Sequence, residues 1–407
     1  MREALAIEGG RRPRPAFGPA LAVGSLALTD FRCYERLRLD VEAAPVVLVG
    51  ANGAGKTNVL EAISLLVPGR GMRRAKLAEL LRDDAPADLC WGIAATIATA
   101  SGAVSVGTGR DPRAAGRGED DEAADDDIIQ NERRLVRIDG LPARGPAALG
   151  EVMRAVWLTP EMDGLFLEAA SSRRRFLDRA IEGLDDGHGA RLNAYQRAMR
   201  ERSRLLRAGR ADPLWLAALE DRMACDGVAI AAARLDAVAR IGAIAAEGFA
   251  PFPGAVMTME GDLEAWLTER PALEAEGRLR EALMASRNED AITGGAAPGP
   301  HRSDLRVRHS HKDIAAGRCS TGEQKALMIA MILAIAVLQA REQGSAPVLL
   351  LDEVAAHLDG ARRQALFERI LDLGAQAWMT GTDPGAFAGL AGRAQTFSVG
   401  DGAVRPL

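Results

Sequence analysis

The feature that most constrains this chain is Gly50-Ala51-Asn52-Gly53-Ala54-Gly55-Lys56-Thr57, set between the apolar run at 46–49 and a helix-forming segment over 59–66. A buried strand that runs into a glycine-rich turn and leaves it as a helix makes a phosphate-binding loop. The glycines let backbone N–H groups approach phosphate oxygens, Lys56 reaches the β and γ positions, and the Thr57 hydroxyl is a Mg²⁺ ligand. The helix N-terminus adds its positive dipole end. A chance glycine-rich turn would not need both the strand before it and the helix after it.

A second constellation lies far along the chain. Val348-Leu349-Leu350-Leu351 is a continuous apolar run, the pattern of a strand buried on both faces, and it ends in Asp352-Glu353. At the carboxyl end of such a strand, Asp352 is placed to hold the Mg²⁺ shell and Glu353 to orient and deprotonate an attacking water. A surface Asp-Glu pair is the bland alternative. Ahead of this strand, Ser320-Thr321-Gly322-Glu323-Gln324-Lys325 opens an apolar helix that Ser320 can cap. Taken alone this is an ordinary helix start. Its place before the carboxylate strand resembles the signature segment of ABC-type ATPases. That resemblance implies that Ser320 and Gly322 meet the γ-phosphate held by another copy, in an ATP-sandwiched homodimer. Ala355-Ala356-His357-Leu358-Asp359 then stands where such proteins have a D-loop.

Composition narrows the field less. A net charge of −5 over 407 residues gives no global basic signal, so nucleic acid would need a local patch. Cys33, Cys90, Cys225 and Cys319 form no close pair, which suggests neither a zinc site nor a disulfide framework. No run is expected to reach the roughly 20 apolar residues of a membrane span. The expectation is a cytoplasmic protein with no membrane contact.

Along the chain, 1–20 reads as a flexible extension, and 21–170 as the first lobe of an ATPase head carrying the phosphate loop. Residues 111–127 are rich in Asp and Glu with no large apolar residue, the composition of a solvated insertion that would also repel DNA from one face. From 171 to 295 the chain turns helical, interrupted around Pro251 and Pro253, and reads as an arm subdomain. Residues 296–407 supply the second lobe. The fold class expected is α/β, an ABC-type P-loop ATPase head with an inserted, mainly helical arm.

Outside the nucleotide motifs the chain resembles the RecF family of bacterial recombination mediators, relatives of the SMC-type ATPases. The resemblance rests on Leu26-Ala27-Leu28-Thr29-Asp30-Phe31-Arg32-Cys33-Tyr34-Glu35-Arg36-Leu37, Val136-Arg137-Ile138-Asp139-Gly140, Pro160-Glu161, Arg173-Arg174-Arg175-Phe176-Leu177-Asp178 and Gly299-Pro300-His301-Arg302-Ser303-Asp304-Leu305, in the family's order. It implies an ATP-dependent homodimer that binds double-stranded or gapped DNA and hydrolyses ATP slowly with DNA stimulation. It also implies work with RecO- and RecR-like mediators to load a RecA-like recombinase. Departures are Cys33 in place of an Asn, Ala356 in place of a D-loop Ser, and Thr380 where transporters carry a switch His. A glutamine for the γ-phosphate sensor is not evident. The competing readings are a DNA clamp using ATP mainly as a dimerisation switch, and another ABC-type ATPase subunit.

For DNA, Arg197, Arg200, Arg204 and Arg207 fall on one face of a helix, with Leu192, Tyr195, Met199 and Leu206 opposite. Such a row suits phosphates, and a solvated, salt-bridged surface is the alternative. Arg173, Arg174 and Arg175 are a second candidate, or else anchors of the arm to the head.

Overall fold

Alternation along three short strands decides where the core lies. In a computed structural model, which describes residues 21–86, 88–111, 134–209, 212–296, 298–356 and 358–407, Val46 and Leu48 face one apolar core while Val47 and Val49 face another. Val348 and Leu350 divide from Leu349 and Leu351 in the same way, as does Trp378 from Met379. These strands are covered on both faces, which explains their unbroken apolar sequence.

In chain order the elements are β1 Ala22–Phe31, β2 Tyr34–Asp40, β3 Val46–Val49, α1 Lys56–Ser64, β4 Gly92–Thr99, β5 Gly102–Arg110, β6 Arg134–Ile138, β7 Leu141–Pro142 and β8 Ala155–Leu158. Next come α2 Ala170–Glu182, α3 His188–Ala208, α4 Pro213–Glu247, β9 Ala255–Glu260, α5 Asp262–Glu269, α6 Ala272–Ala285 and α7 Arg287–Thr293. The chain closes with β10 Asp304–His309, β11 Ile314–Ala315, α8 Thr321–Gln343, β12 Val348–Leu351, α9 Gly360–Leu373, β13 Ala377–Gly381, β14 Gln395–Gly400 and β15 Ala403–Pro406.

The central sheet has the order β15-β14-β3-β13-β12-β8 and is parallel except for β15. On one side, α1 lies under an antiparallel sheet ordered β2-β1-β4-β5-β6-β7, and the space between is filled by residues such as Leu26, Ile63, Trp91 and Trp378. On the other side, α8 carries the second core with α4 and α9. α8 corrects the membrane expectation in one respect: it is long and apolar enough to span a bilayer, yet 78% of its apolar window is buried inside the protein. It is apolar all round because it is covered all round.

The arm has its own core, from Tyr195, Met223, Val228, Leu263, Leu279 and Leu283. Within it Arg202 is fully buried, giving hydrogen bonds to Glu220 at 2.9 Å, Asp290 at 2.8 Å and the Leu283 carbonyl at 2.6 Å. One guanidinium thus ties α3 to α4, α6 and α7. At the arm's base, Arg234 of α4 grips Asp178 of α2 through two 2.8 Å bonds, and His188 meets the same carboxylate at 3.0 Å. Burial works against the Asp178 charge, but the bonds from His188 and Arg234 outweigh it and hold the carboxyl below its ordinary range. β9 pairs with β10, so a three-stranded sheet joins the arm to the second lobe. The 1–20 extension, most of the acidic 111–127 stretch and His357 lie outside the described residues.

Candidate functional site

The phosphate loop is shaped by close approach at two glycines. A Cβ on Gly50 would stand 2.2 Å from the Val399 carbonyl oxygen, and one on Gly55, at φ 105°, would stand 2.7 Å from both Cys33 Sγ and the Tyr34 hydroxyl. The turn is pinned on either side. Tyr34 donates to the Gly55 carbonyl at 3.1 Å, and the Gly50 N–H donates to Gly381 at 3.2 Å. Ala51, Asn52 and Gly53 form the exposed crest and Ala54 is half-buried. Lys56 folds back over the turn, donating to the carbonyls of Gly50 at 2.8 Å and Ala51 at 2.9 Å, with its Nζ 3.6 Å from Glu353 Oε1. At the first turn of α1 the N–H groups of Lys56 and Thr57 have no acceptor among the described residues, as at any helix start.

The carboxylates arrive from the middle of the sheet. Register pairs Leu351 of β12 with Leu158 of β8 and Met379 of β13, which puts Asp352 at the carboxyl end of the central strands beside α1. The Thr57 hydroxyl lies 2.9 Å and 3.0 Å from the two Asp352 oxygens, although the residues stand far apart in sequence. Thr380 donates to Asp352 at 2.7 Å and accepts the Glu353 N–H at 2.8 Å. Glu353 sits at φ 50°, a left-handed conformation that costs a non-glycine residue about 1–2 kcal/mol. The turn it makes sends its side chain toward Lys56, and that side chain remains 29% exposed. A hydroxyl and a carboxylate at hydrogen-bond distance are hard oxygen donors of the kind Mg²⁺ takes, so Thr57 and Asp352 fit the metal role expected of them.

The helix start at Ser320 is built differently. Ser320, Thr321 and Gly322 are exposed, and a Cβ at Gly322 would meet nothing within 4 Å. Ser320 caps α8 by accepting from the Glu323 N–H, while Glu323 returns to the Ser320 N–H at 3.0 Å. Lys312 pairs with Glu323, and this ion pair, with the backbone and hydroxyl bonds from Ser320, pulls the Glu323 carboxyl down to about 2. Among the described residues, no hydrogen bond or ion pair joins this segment to the phosphate loop. The structure therefore brings Lys56, Thr57, Asp352 and Glu353 together and leaves Ser320 and Gly322 apart from them, facing outward.

Arg197, Arg200, Arg204 and Arg207 all lie exposed on α3, with Tyr195 buried behind them and Leu192 and Met199 packed against the arm core. Arg204 bonds Glu201 at 2.8 Å and Arg207 donates to the Gly294 carbonyl at 3.3 Å. The neighbouring triplet divides. Arg173 makes a two-pronged contact with Asp304 at 2.7 and 2.9 Å and Arg174 donates to the Ser303 carbonyl at 2.5 Å, so both tie α2 to the second lobe. Arg175 stays exposed.

Sequence reasoning missed the parts that support the site. Thr380 stood out only as the residue in place of a switch His, and nothing linked Tyr34 to Gly55. Nor did it place Thr159-Pro160-Glu161 near the site: the segment follows β8, whose Leu158 carbonyl accepts the Asp352 N–H at 2.9 Å. Register across a sheet carries that information, and a linear motif does not.

Three comparisons place the chain among known proteins. Residues 22–391 match the family described as RecF/RecN/SMC N terminal domain. The chain is 46% identical over 386 residues to the DNA replication and repair protein RecF of Mesorhizobium japonicum, covering 94% of this chain and 97% of that protein. It is likewise 46% identical over 384 residues to the RecF of Rhizobium rhizogenes. In three dimensions it resembles the recombination mediator protein RecF-ATPrS of the RecFOR pathway, with a TM-score of 0.81 at 21% identity over 96% of this chain and 99% of that one. It also resembles an Smc head bound to the C-terminal winged-helix domain of ScpA, with a TM-score of 0.53 at 16% identity over 96% of this chain and 97% of that one.

Proposed function

Because the chain belongs to the RecF family of RecF/RecN/SMC-type ATPases, we propose that it is an ATP-dependent DNA-binding recombination mediator that serves replication and repair. The observation that carries this reading is the meeting of Thr57, Asp352, Thr380 and Glu353 around the helix start that follows a phosphate loop. ATP lies with its phosphates along Gly50 to Thr57, their charge met by Lys56 and the N–H groups at the start of α1. Thr57 and Asp352 would hold Mg²⁺, which would supply neutralisation of the phosphate charge. Thr380 keeps the Asp352 carboxylate turned toward Thr57, and through the Glu353 N–H it fixes the backbone from which Glu353 orients the attacking water and takes its proton.

In this reading the outward-facing Ser320 and Gly322 complete the site of a second copy, so hydrolysis belongs to an ATP-bound homodimer. DNA, double-stranded or gapped, stimulates a slow turnover. RecO- and RecR-like mediators and a RecA-like recombinase are its partners in the cytoplasm. The test is ATP hydrolysis by purified protein with duplex, single-stranded and gapped DNA. Stimulation by duplex or gapped DNA above that by single strands is expected. Equal rates with and without every DNA would overturn the reading, and a Glu353→Gln variant that remained active in repair would leave ATP as a dimerisation switch only.

A further inference from the structure

A cavity of about 490 Å³ opens between the loop that leaves α1, the end of β8, and helices α2 and α3. Four arginines share its wall: Arg70 and Arg74 from the loop, Arg175 and Arg179 from α2. Arg179 is fixed in place, donating to the Pro68 carbonyl and to Glu182 at 2.7 Å each and lying 4.2 Å above the Trp157 ring. Its Nε is buried with no partner. Arg70, Arg74 and Arg175 are exposed around it.

These charges are assembled at a cost. Arg74 is exposed at the rim, yet the cleft shields it partly from solvent; that desolvation, then the like charges of Arg175 and Arg70, lower its affinity for its proton. Arg74 also holds a left-handed backbone at φ 54°. The acidic groups in the wall offset this only partly. Asp178 is taken by Arg234 and His188, Glu182 is taken by Arg179, and Glu161 and Glu168 are exposed. Like charges gathered in a cleft against the electrostatic cost are a mark of a binding site for the opposite charge.

The cleft does not end at its own rim. Its far wall includes Asn193 and Gln196 of α3, and steps of three and four residues carry that face on to Arg200, Arg204 and Arg207, with Arg197 beside them. From Asn193 to Arg207 the helix rises about 21 Å. A duplex strand presents roughly one phosphate per 3.4 Å of axis, so this track faces several phosphates in succession. Trp157 lies beneath the Arg179 guanidinium, so that face of its ring is covered, and the row of arginines along α3 favours contact with a duplex backbone.

We propose that the Arg70, Arg74 and Arg175 cleft is the docking point for the phosphodiester backbone of duplex DNA, continuous with the arginine row on α3. This rests on the DNA-binding reading above and adds to it a site that charge composition does not reveal. Its link to the nucleotide centre runs through β8: Thr159 and Glu161 line the cleft and follow the strand whose Leu158 carbonyl accepts the Asp352 N–H.

The test is the affinity of the full chain for a fluorescent duplex, with ATP and Mg²⁺, as salt is raised. Substituting Arg70, Arg74 and Arg175 together with Gln is expected to weaken binding about 10- to 100-fold and to reduce the slope of log K against log salt by about 2 to 3. The same three positions changed to Lys, which keeps the charges, should recover most of both effects. A Gln variant with unaltered thermal unfolding, affinity and slope overturns the cleft assignment, and so does a Lys variant as impaired as the Gln variant. If the unsubstituted protein binds no duplex, the DNA-binding reading itself falls, and the cleft assignment with it.

Discussion

The two sides of the proposed ATP site are built to different degrees of completion within one chain. On the phosphate-loop side the functional side chains already have partners: Lys56 on two carbonyls, Thr57 on Asp352, Asp352 on Thr380, and Glu353 beside Lys56 and anchored through its N–H. On the Ser320 side the helix cap and the Lys312–Glu323 and Lys325–Asp163 ion pairs hold the segment, and Ser320, Thr321 and Gly322 face outward. One side is fixed by sheet register and the other by contacts around its own helix start. In the proposed reading, the partner of these outward-facing groups is a second copy of the chain.

Breaking the complete side should give the largest effects. Glu353→Gln is expected to slow hydrolysis by about 10²- to 10⁴-fold while ATP still binds, the loss typical of a positioned base; stopped-flow phosphate release measures it, and a rate within threefold of the original would contradict the role. Lys56→Ala is expected to weaken ATP binding roughly 100-fold through lost charge-assisted bonds, which titration with a fluorescent nucleotide would detect. Thr380→Val strips partners from Asp352 and from the Glu353 N–H at a buried position. It should cost about 1–3 kcal/mol in urea unfolding, and no change would mean that the hydroxyl does not organise the site.

The open side sharpens the contrast in the opposite sense. Gly322→Leu enters empty space, so stability should shift by no more than about 0.5 kcal/mol, yet ATP-dependent association should be lost in sedimentation velocity. The smallest effect concerns pH. Glu323 has a folded value of about 2, below the ordinary carboxylate near 4.3. Its contribution is complete above about 4.3 and is lost as pH falls toward 2. Glu323→Gln should therefore flatten the acid limb of the unfolding curve only in that window.

Much of this was legible in the chain because its signals are local. Val46–Val49 and Val348–Leu351 declare buried strands by having no polar position, and Lys56, Thr57, Asp352 and Glu353 follow them at fixed steps. The arginine face of α3 was readable for the same reason, since helical spacing is a property of the sequence. What was hidden depends on long-range register. Thr380 reaches Asp352 because β13 and β12 pair in parallel, and Tyr34 closes the phosphate loop from a different sheet. The basic cleft joins residues from 70, 157 and 175, and no window of sequence contains all three. The length of apolar sequence in α8 was underestimated, and its apolar faces on all sides fit its place as a core helix, 78% of whose apolar window is buried.

The central claim is that the unfinished side of the site is finished by a second copy. Sedimentation equilibrium of the Glu353→Gln protein with Mg²⁺, in saturating ATP and then in ADP, tests it most directly. The account predicts a dimer of this 407-residue chain in ATP and a monomer in ADP. A monomer at saturating ATP, or a dimer indifferent to nucleotide, would contradict it.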